Sequence, residues 1–228
     1  MRVSIKPIKV IALGVLFVAA TPLGVLAANN STLNQTINAG VLSTDILDGA
    51  LDAVASPSVA MTAKPTSFVC QTGAEASTGT LGTSSERLYV TNPNGANAGW
   101  NLSIAASGGV TSTWSNAGAT NLIDFNDPST GGCSDGADSD AVSGQLTVDP
   151  AGTLTPDCQT CTNTGISTGG VAAFSQGTTD SVQLVNAGAG SDDVWRGYLT
   201  DVGLSQTIPA ETPSDAYSLN LTLTATAQ

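Results

Sequence analysis

The chain has 228 residues, of which 41% are hydrophobic, 4% are aromatic and 11% are charged. So much apolar and so little charged sequence excludes an intrinsically disordered protein, and this length suits a single domain. Because the chain contains no histidine, Ser-His-Asp catalysis, Cys-His catalysis and histidine-ligated zinc are also excluded.

Residues 1–27 have the pattern of a secretory signal peptide. Arg2, Lys6 and Lys9 precede an apolar run over 10–20, and small residues near 25–27 offer a cleavage site. An uncleaved membrane anchor is the alternative. The sequence therefore predicts an exported protein with one domain over 28–228, which meets a membrane only through an uncleaved signal segment.

The predicted domain is strongly acidic. After residue 27 the basic side chains are Lys64, Arg87 and Arg196, against all 18 acidic side chains of the chain. Such a surface repels phosphate backbones and anionic lipid headgroups, so a nucleic-acid partner is not expected. Cations are the more natural partners.

The first predicted element after the signal peptide is a helix over 44–55, where apolar residues recur at helical spacing before Pro57. The next is a β-hairpin, in which runs at 87–91 and 100–106 flank a turn at 92–95 that contains Asn94-Gly95. Strict alternation of apolar and polar residues over 217–227 predicts a half-buried final strand.

Shorter runs separated by Gly, Asn, Asp, Ser and Pro predict further strands. Together these elements predict an all-β fold, a single antiparallel β-sandwich of the immunoglobulin-like or jelly-roll-like kind. The shorter predicted strands are 36–41, 59–63, 111–114, 122–125, 145–148, 171–174, 181–185 and 198–206.

An acidic insertion over about 124–161 interrupts the strand pattern and contains three of the four cysteines. Cys70, Cys133, Cys158 and Cys161 are an even number in an exported chain, which predicts two structural disulfides of open connectivity that brace this acidic loop. The pair Cys158/Cys161 alternatively has the spacing of a redox motif or of half a zinc site.

Oxygen-bearing side chains in this insertion are closely spaced, as Ca²⁺ requires. The spacing does not fit an EF-hand, and a solvated acidic loop without metal is the alternative. The hypothesis is a structural calcium ion that orders the loop, with no other cofactor. Its candidate ligands are Asp124, Asn126, Asp127, Asp135, Asp138 and Asp140.

An enzymatic function is not expected. Paired carboxylates make a glycoside hydrolase a distant alternative, but the acidic residues lie in one loop without aromatic platforms for sugar. Trp100, Trp114 and Trp195 are expected in the core; the alternative is an exposed ring that stacks on sugar or enters a partner.

Two segments resemble WxL-type surface domains. Residues 97–104, with Trp100 and Leu102, resemble their first Trp-x-Leu signature, and 208–213 with 217–223 resemble their proline turn and last strand. The chain has Leu-Thr-Leu at 221–223 instead of a second Trp-x-Leu. The resemblance implies a bacterial surface protein held noncovalently on peptidoglycan or another wall polymer, with Trp100 and Leu102 as contact residues.

Residues 36–43 resemble the region after the signal peptide in TasA and camelysin-type proteins. These are secreted β-sandwich proteins that assemble into matrix fibres. The leading hypothesis is therefore a secreted, non-enzymatic cell-surface protein that adheres to the cell wall. The alternative is a subunit that binds copies of itself in a fibre or surface layer, through an N-terminal strand that pairs with an exposed sheet edge.

Overall fold

The computed structural model describes residues 34–136, 140, 142–191 and 194–228. Residues 34–37 contain no helix or strand, and 38–228 form a separate compact unit. The predicted signal peptide at 1–27 lies outside the described residues. Within those residues no helix has the length and apolar character needed to cross a membrane.

The regular elements of the unit that the structure describes are antiparallel strands and two 3₁₀ turns, at Gly73–Glu75 and Ser129–Gly131. The all-β prediction is confirmed. The strands are β1 (Ser43–Leu47), β2 (Ser77–Leu81), β3 (Arg87–Asn92), β4 (Trp100–Ala106), β5 (Trp114–Ser115), β6 (Leu122–Ile123), β7 (Leu146–Asp149), β8 (Thr153–Pro156), β9 (Ile166–Thr168), β10 (Ala172–Ala173), β11 (Val182–Ala187), β12 (Trp195–Thr200), β13 (Val202–Gln206) and β14 (Leu221–Ala227).

Three four-stranded sheets carry the fold. Sheet I has the order β1-β3-β12-β8, sheet II the order β10-β7-β13-β2, and sheet III the order β14-β4-β11-β9; β5 and β6 form a small hairpin. Three chain segments run through both sheet I and sheet II, because β2 leads into β3, β7 into β8, and β12 into β13. They therefore form one bent layer.

All three of these segments bend at the same place in the layer. Asp201 has a left-handed φ of 64° between β12 and β13, and its N–H donates to the Gly82 carbonyl oxygen at 2.7 Å. Gly152 lies so close to the neighbouring segment that an added Cβ would clash with the Thr200 carbonyl oxygen. Glycine is required there because the backbones approach so closely.

Sheet III packs over this bent layer, and the core lies between them. Trp100 of β4 contacts Trp195 of β12 with ring centroids 5.2 Å apart, and Phe125 contacts Phe174 at 5.1 Å. Alternate residues of β4 face inward and are buried, and β11 buries Val182, Leu184, Val185 and Ala187 across an irregularity in its pairing. The result is the β-sandwich-like arrangement that the alternating sequence predicts.

Several local predictions are wrong, and the predicted strands at 36–41 and 59–63 are absent. Residues 44–55 are not a helix, because β1 pairs with β3 and the chain then turns at Asp48, whose Oδ1 accepts the N–H groups of Ala50 and Asp52. The runs at 87–91 and 100–106 do not form a hairpin. β3 belongs to sheet I and β4 to sheet III, so the turn at 92–95 lies in a crossing between layers.

Candidate functional site

Trp100 and Leu102, the predicted wall-contact residues, are core residues. They are 1% and 0% exposed, and both lie on the inward face of β4, an interior strand of sheet III. The prediction that they form a contact surface is wrong for the folded domain, because no partner can reach them without opening the sandwich. Their size and apolar character serve packing.

The predicted calcium ligands Asp124, Asn126 and Asp127 are buried, and their hydrogen bonds hold the protein's own loop. Asp127 Oδ1 accepts the N–H of Ser129 at 2.8 Å and its Oδ2 accepts the N–H of Gly136 at 3.1 Å. Asp124 Oδ1 accepts the N–H of Phe125 at 2.6 Å. Asp127 thereby fixes the start of the acidic loop through backbone donors.

Of the remaining predicted ligands, the structure describes Asp135 and Asp140. Asp135 and Asp140 are exposed, and Asp138 lies outside the described residues. In the ranges that the structure describes, no three His, Cys, Asp or Glu side chains are grouped so that they could hold a metal ion. Calcium binding therefore stays a prediction from the sequence.

The four cysteines form two disulfides, as predicted. Cys70–Cys133 ties the acidic loop to the chain before β2, and Cys158–Cys161 closes a short loop after β8. The stretch 124–161 is more than a loop, since it contains β7 and β8, and Leu146 and Val148 are fully buried. Structural disulfides are typical of proteins outside the cytoplasm.

A cleft of about 210 Å³ surrounds Trp114, the tryptophan that is only partly buried. Four parts of the chain form it: residues 61–66, the start of β2, the β5–β6 hairpin and the loop at 206–217. Its lining includes Lys64, Ser77, Trp114, Gln206, Asp215 and Tyr217.

Hydrogen bonds fix the cleft's walls. Trp114 Nε1 donates to Gln206 Oε1 at 2.8 Å, and Gln206 Nε2 donates to the carbonyl oxygens of Asp124 and Thr207, both at 2.9 Å. Gln206 is 2% exposed. The indole ring is therefore held by a buried amide, and its orientation is set before any ligand arrives.

Asp215 ties the loop at 206–217 to the turn of the β5–β6 hairpin. Its Oδ2 accepts hydrogen bonds from Asn116 Nδ2 at 2.6 Å and Asn121 Nδ2 at 3.1 Å. These bonds, with one from the Ala216 N–H, hold the pKa of Asp215 below its ordinary value, so it stays ionised. Burial, and then the nearby Asp215 charge, raise the pKa of the Tyr217 hydroxyl, which stays neutral.

An apolar groove of about 310 Å³ adjoins this cleft and shares Met61, Trp114 and Tyr217 with it. It opens between β14 of sheet III and the edge of the bent layer, and it reaches the core residues Ile104 and Leu204. The sandwich is thus incompletely closed on this side. The apolar lining also includes Ile46, Val59, Leu81, Leu219, Leu221 and Leu223.

Neither the cleft nor the groove is among the sequence predictions, since their residues come from distant segments. Trp114 and Gln206 are 92 positions apart, and no local spacing connects them. The alternation over 217–227 predicts a strand but not that this strand lies at a sheet edge. The sequence feature that could have indicated an unprotected edge is the absence of charged residues from 216 to 228.

Comparison with known proteins adds no relative. No family model, no curated protein and no solved structure matches the chain. The resemblances to WxL-type and TasA-type proteins therefore depend on the short motifs alone.

Proposed function

We propose that this protein is a non-enzymatic structural protein of the cell exterior that assembles with copies of itself. In this proposal the N-terminal segment, residues 34–42, of one copy pairs with β14 of the next and fills the apolar groove. The observation that carries the proposal is the coincidence of an uncharged sheet edge with an open apolar groove.

The first support is the edge itself. β14 spans Leu221–Ala227, lies at the end of sheet III and contains no charged residue and no proline. Edge strands usually carry such residues or are covered, because their free N–H and C=O groups recruit other strands. β14 carries no such residue, although β1 lies near it across the sandwich.

The other sheet edges are protected or short. β1 carries Asp45, β8 ends at Pro156, and β9 and β10 have only three and two residues. The edge of β2 is partly covered, since the Thr62 N–H donates to the Thr78 carbonyl oxygen at 2.6 Å. β14 is therefore the edge best suited to receive a strand.

The second support is the N-terminal segment. Ile37 and Val41 are 88% and 81% exposed, and with Ala39 they alternate with polar or small residues as in a strand. The predicted strand at 36–41 is absent from the single copy. Paired with β14, the segment can direct Ile37, Ala39 and Val41 into the groove and close the sandwich.

Head-to-tail addition of this kind leaves a free segment and a free groove at the two ends of each assembly, and such contacts generate filaments unless the rotation closes a ring. Cell-wall adhesion is the competing function. It has less support, since Trp100 and Leu102 are buried.

A sedimentation assay with paired variants tests the proposal. The purified protein should pellet without cell walls and show filaments in the electron microscope. Ile37→Asp/Val41→Asp should remain soluble, because burying two carboxylates in an apolar groove is unfavourable. The control Thr36→Asp/Asn38→Asp adds the same charge on the other face and should still pellet.

Two outcomes contradict the proposal. Sedimentation only with isolated cell walls would favour adhesion, and equal sedimentation of both double variants would show that the apolar face of the segment is not the contact.

A further inference from the structure

We propose that the Trp114 cleft binds a single neutral sugar ring, with the apolar face of the ring against Trp114 and its hydroxyls on Lys64 and Asp215. This site adjoins the self-assembly groove and shares Trp114 with it, but Lys64 and Asp215 line the cleft alone.

Lys64 is the first reason. It is half-buried in the cleft wall, yet among the described basic side chains it alone has no hydrogen bond or ion pair. Arg87 donates to the Ser84 carbonyl and stacks on Tyr198, and Arg196 pairs with Asp157. The Lys64 ammonium has three donors for ligand oxygens.

Asp215 supplies the complementary acceptor. Its Oδ2 is occupied by two asparagine amides and its Oδ1 accepts the Ala216 N–H at 2.8 Å. A carboxylate has about four acceptor positions, so one remains for a ligand hydroxyl. The cleft thus combines fixed donors with a fixed acceptor, which a polyol satisfies.

The aromatic side chains that line the cleft are the third reason for the proposal. Trp114 is held by Gln206, and the Tyr217 hydroxyl donates to the Pro213 carbonyl oxygen at 2.8 Å, so both rings are fixed in the cleft wall. An aromatic face beside polar groups suits a ligand with one apolar face and a polar rim. A pyranose ring has that shape.

Charge and size narrow the ligand class. The chain has a formal net charge of −12, and Asp215 itself lines the cleft, so an anionic sugar or a peptide carboxylate is disfavoured. The volume of about 210 Å³ is below the range of about 300–1,000 Å³ for drug-sized ligands. A single sugar ring fits this volume better than an oligosaccharide does.

Indole NMR tests the proposal on the chain from residue 28 onward with Ile37→Asp/Val41→Asp, the double variant that is expected to stay unassembled. Glucose, galactose, mannose, N-acetylglucosamine and glucuronate are titrated separately while the three tryptophan Nε1–H signals are followed. Trp114→Phe assigns the cleft signal. At least one neutral sugar should shift the Trp114 signal and saturate, while the signals of buried Trp100 and Trp195 stay in place as a check of the fold.

Lys64→Met should weaken that binding about tenfold, the usual effect of losing a hydrogen bond from a charged donor. Arg87→Met removes the same charge outside the cleft and should leave the affinity unchanged. The proposal is overturned if none of the neutral sugars shifts Trp114, if glucuronate binds more tightly than they do, or if Lys64→Met and Arg87→Met behave alike.

Discussion

Gln206 connects the end of β13 to Trp114 and Asp124, which are 92 and 82 positions away in sequence. Its side chain accepts from the Trp114 indole and donates to the carbonyl oxygens of Asp124 and Thr207, in a buried position at the end of β13. Its hydrogen bonds join sheet II to the β5–β6 hairpin and to the start of the acidic loop. A buried amide with all these bonds specifies one arrangement.

Gln206→Leu should lower the free energy of unfolding by about 2–3 kcal/mol, because the indole N–H and the carbonyl oxygens lose their buried partner. Urea denaturation measures this. The control Gln183→Leu changes an exposed glutamine on β11 and should alter stability by less than about 0.5 kcal/mol. Equal effects of the two substitutions would show that the Gln206 network does not stabilise the fold.

At the scale of single elements, strands with strict alternation could be predicted from the sequence. β4 and β14 agree with it, since every second residue of β4 is buried and β14 alternates between half-buried and exposed positions. Each has the period of two that a sheet with one buried face requires.

Elements whose form depends on distant partners could not be predicted. Ile46 and Leu47 lie in a strand because β3 pairs with them, although their spacing also fits a helix. The Asn94-Gly95 turn indicates a reversal but not that β4 joins another sheet. The cleft and the groove depend on such pairings too, so local patterns do not reveal them.

The two disulfides offer a test at this scale. They close segments of 63 and 3 residues, and loop-closure entropy in the unfolded chain grows with loop length. Replacing Cys70 and Cys133 by serine should cost about 4 kcal/mol, and replacing Cys158 and Cys161 about 2 kcal/mol. Thermal unfolding of the two double variants shows which of them is less stable. A larger loss of stability without Cys158–Cys161 would contradict the prediction from loop length.

For the whole molecule, the bent layer is the organising feature. Three chain segments each cross from sheet I to sheet II at one line, which Gly82, Gly152 and Asp201 mark. The bend wraps the layer around sheet III on one side, while the side with β14 stays open as the apolar groove. The open edge is thus a property of the architecture.

Gly152→Ala tests the bend. The added methyl group would meet the Thr200 carbonyl oxygen, so the backbones must separate, at a cost of about 2–3 kcal/mol in unfolding free energy. Gly170→Ala is the matched control, since no atom lies within 4 Å of its added Cβ. Chemical denaturation should separate the two variants, and similar stabilities would contradict the close packing at the bend.

The measurement that tests self-assembly most directly is a disulfide trap between two copies. One variant carries Asn38→Cys and the other Thr222→Cys, Thr224→Cys or Thr226→Cys, all at exposed positions; the native cysteines are already paired. Directly paired strands bring Cα atoms to about 4.5–5.5 Å, within reach of a disulfide. Thr153→Cys, on the edge strand β8, is the control.

If the N-terminal segment pairs with β14, a mixed, reducible dimer should form between Asn38→Cys and at least one β14 variant, and none should form with Thr153→Cys. No mixed dimer with any of the three β14 positions, or equal trapping with the β8 control, would contradict the pairing of the N-terminal segment with β14.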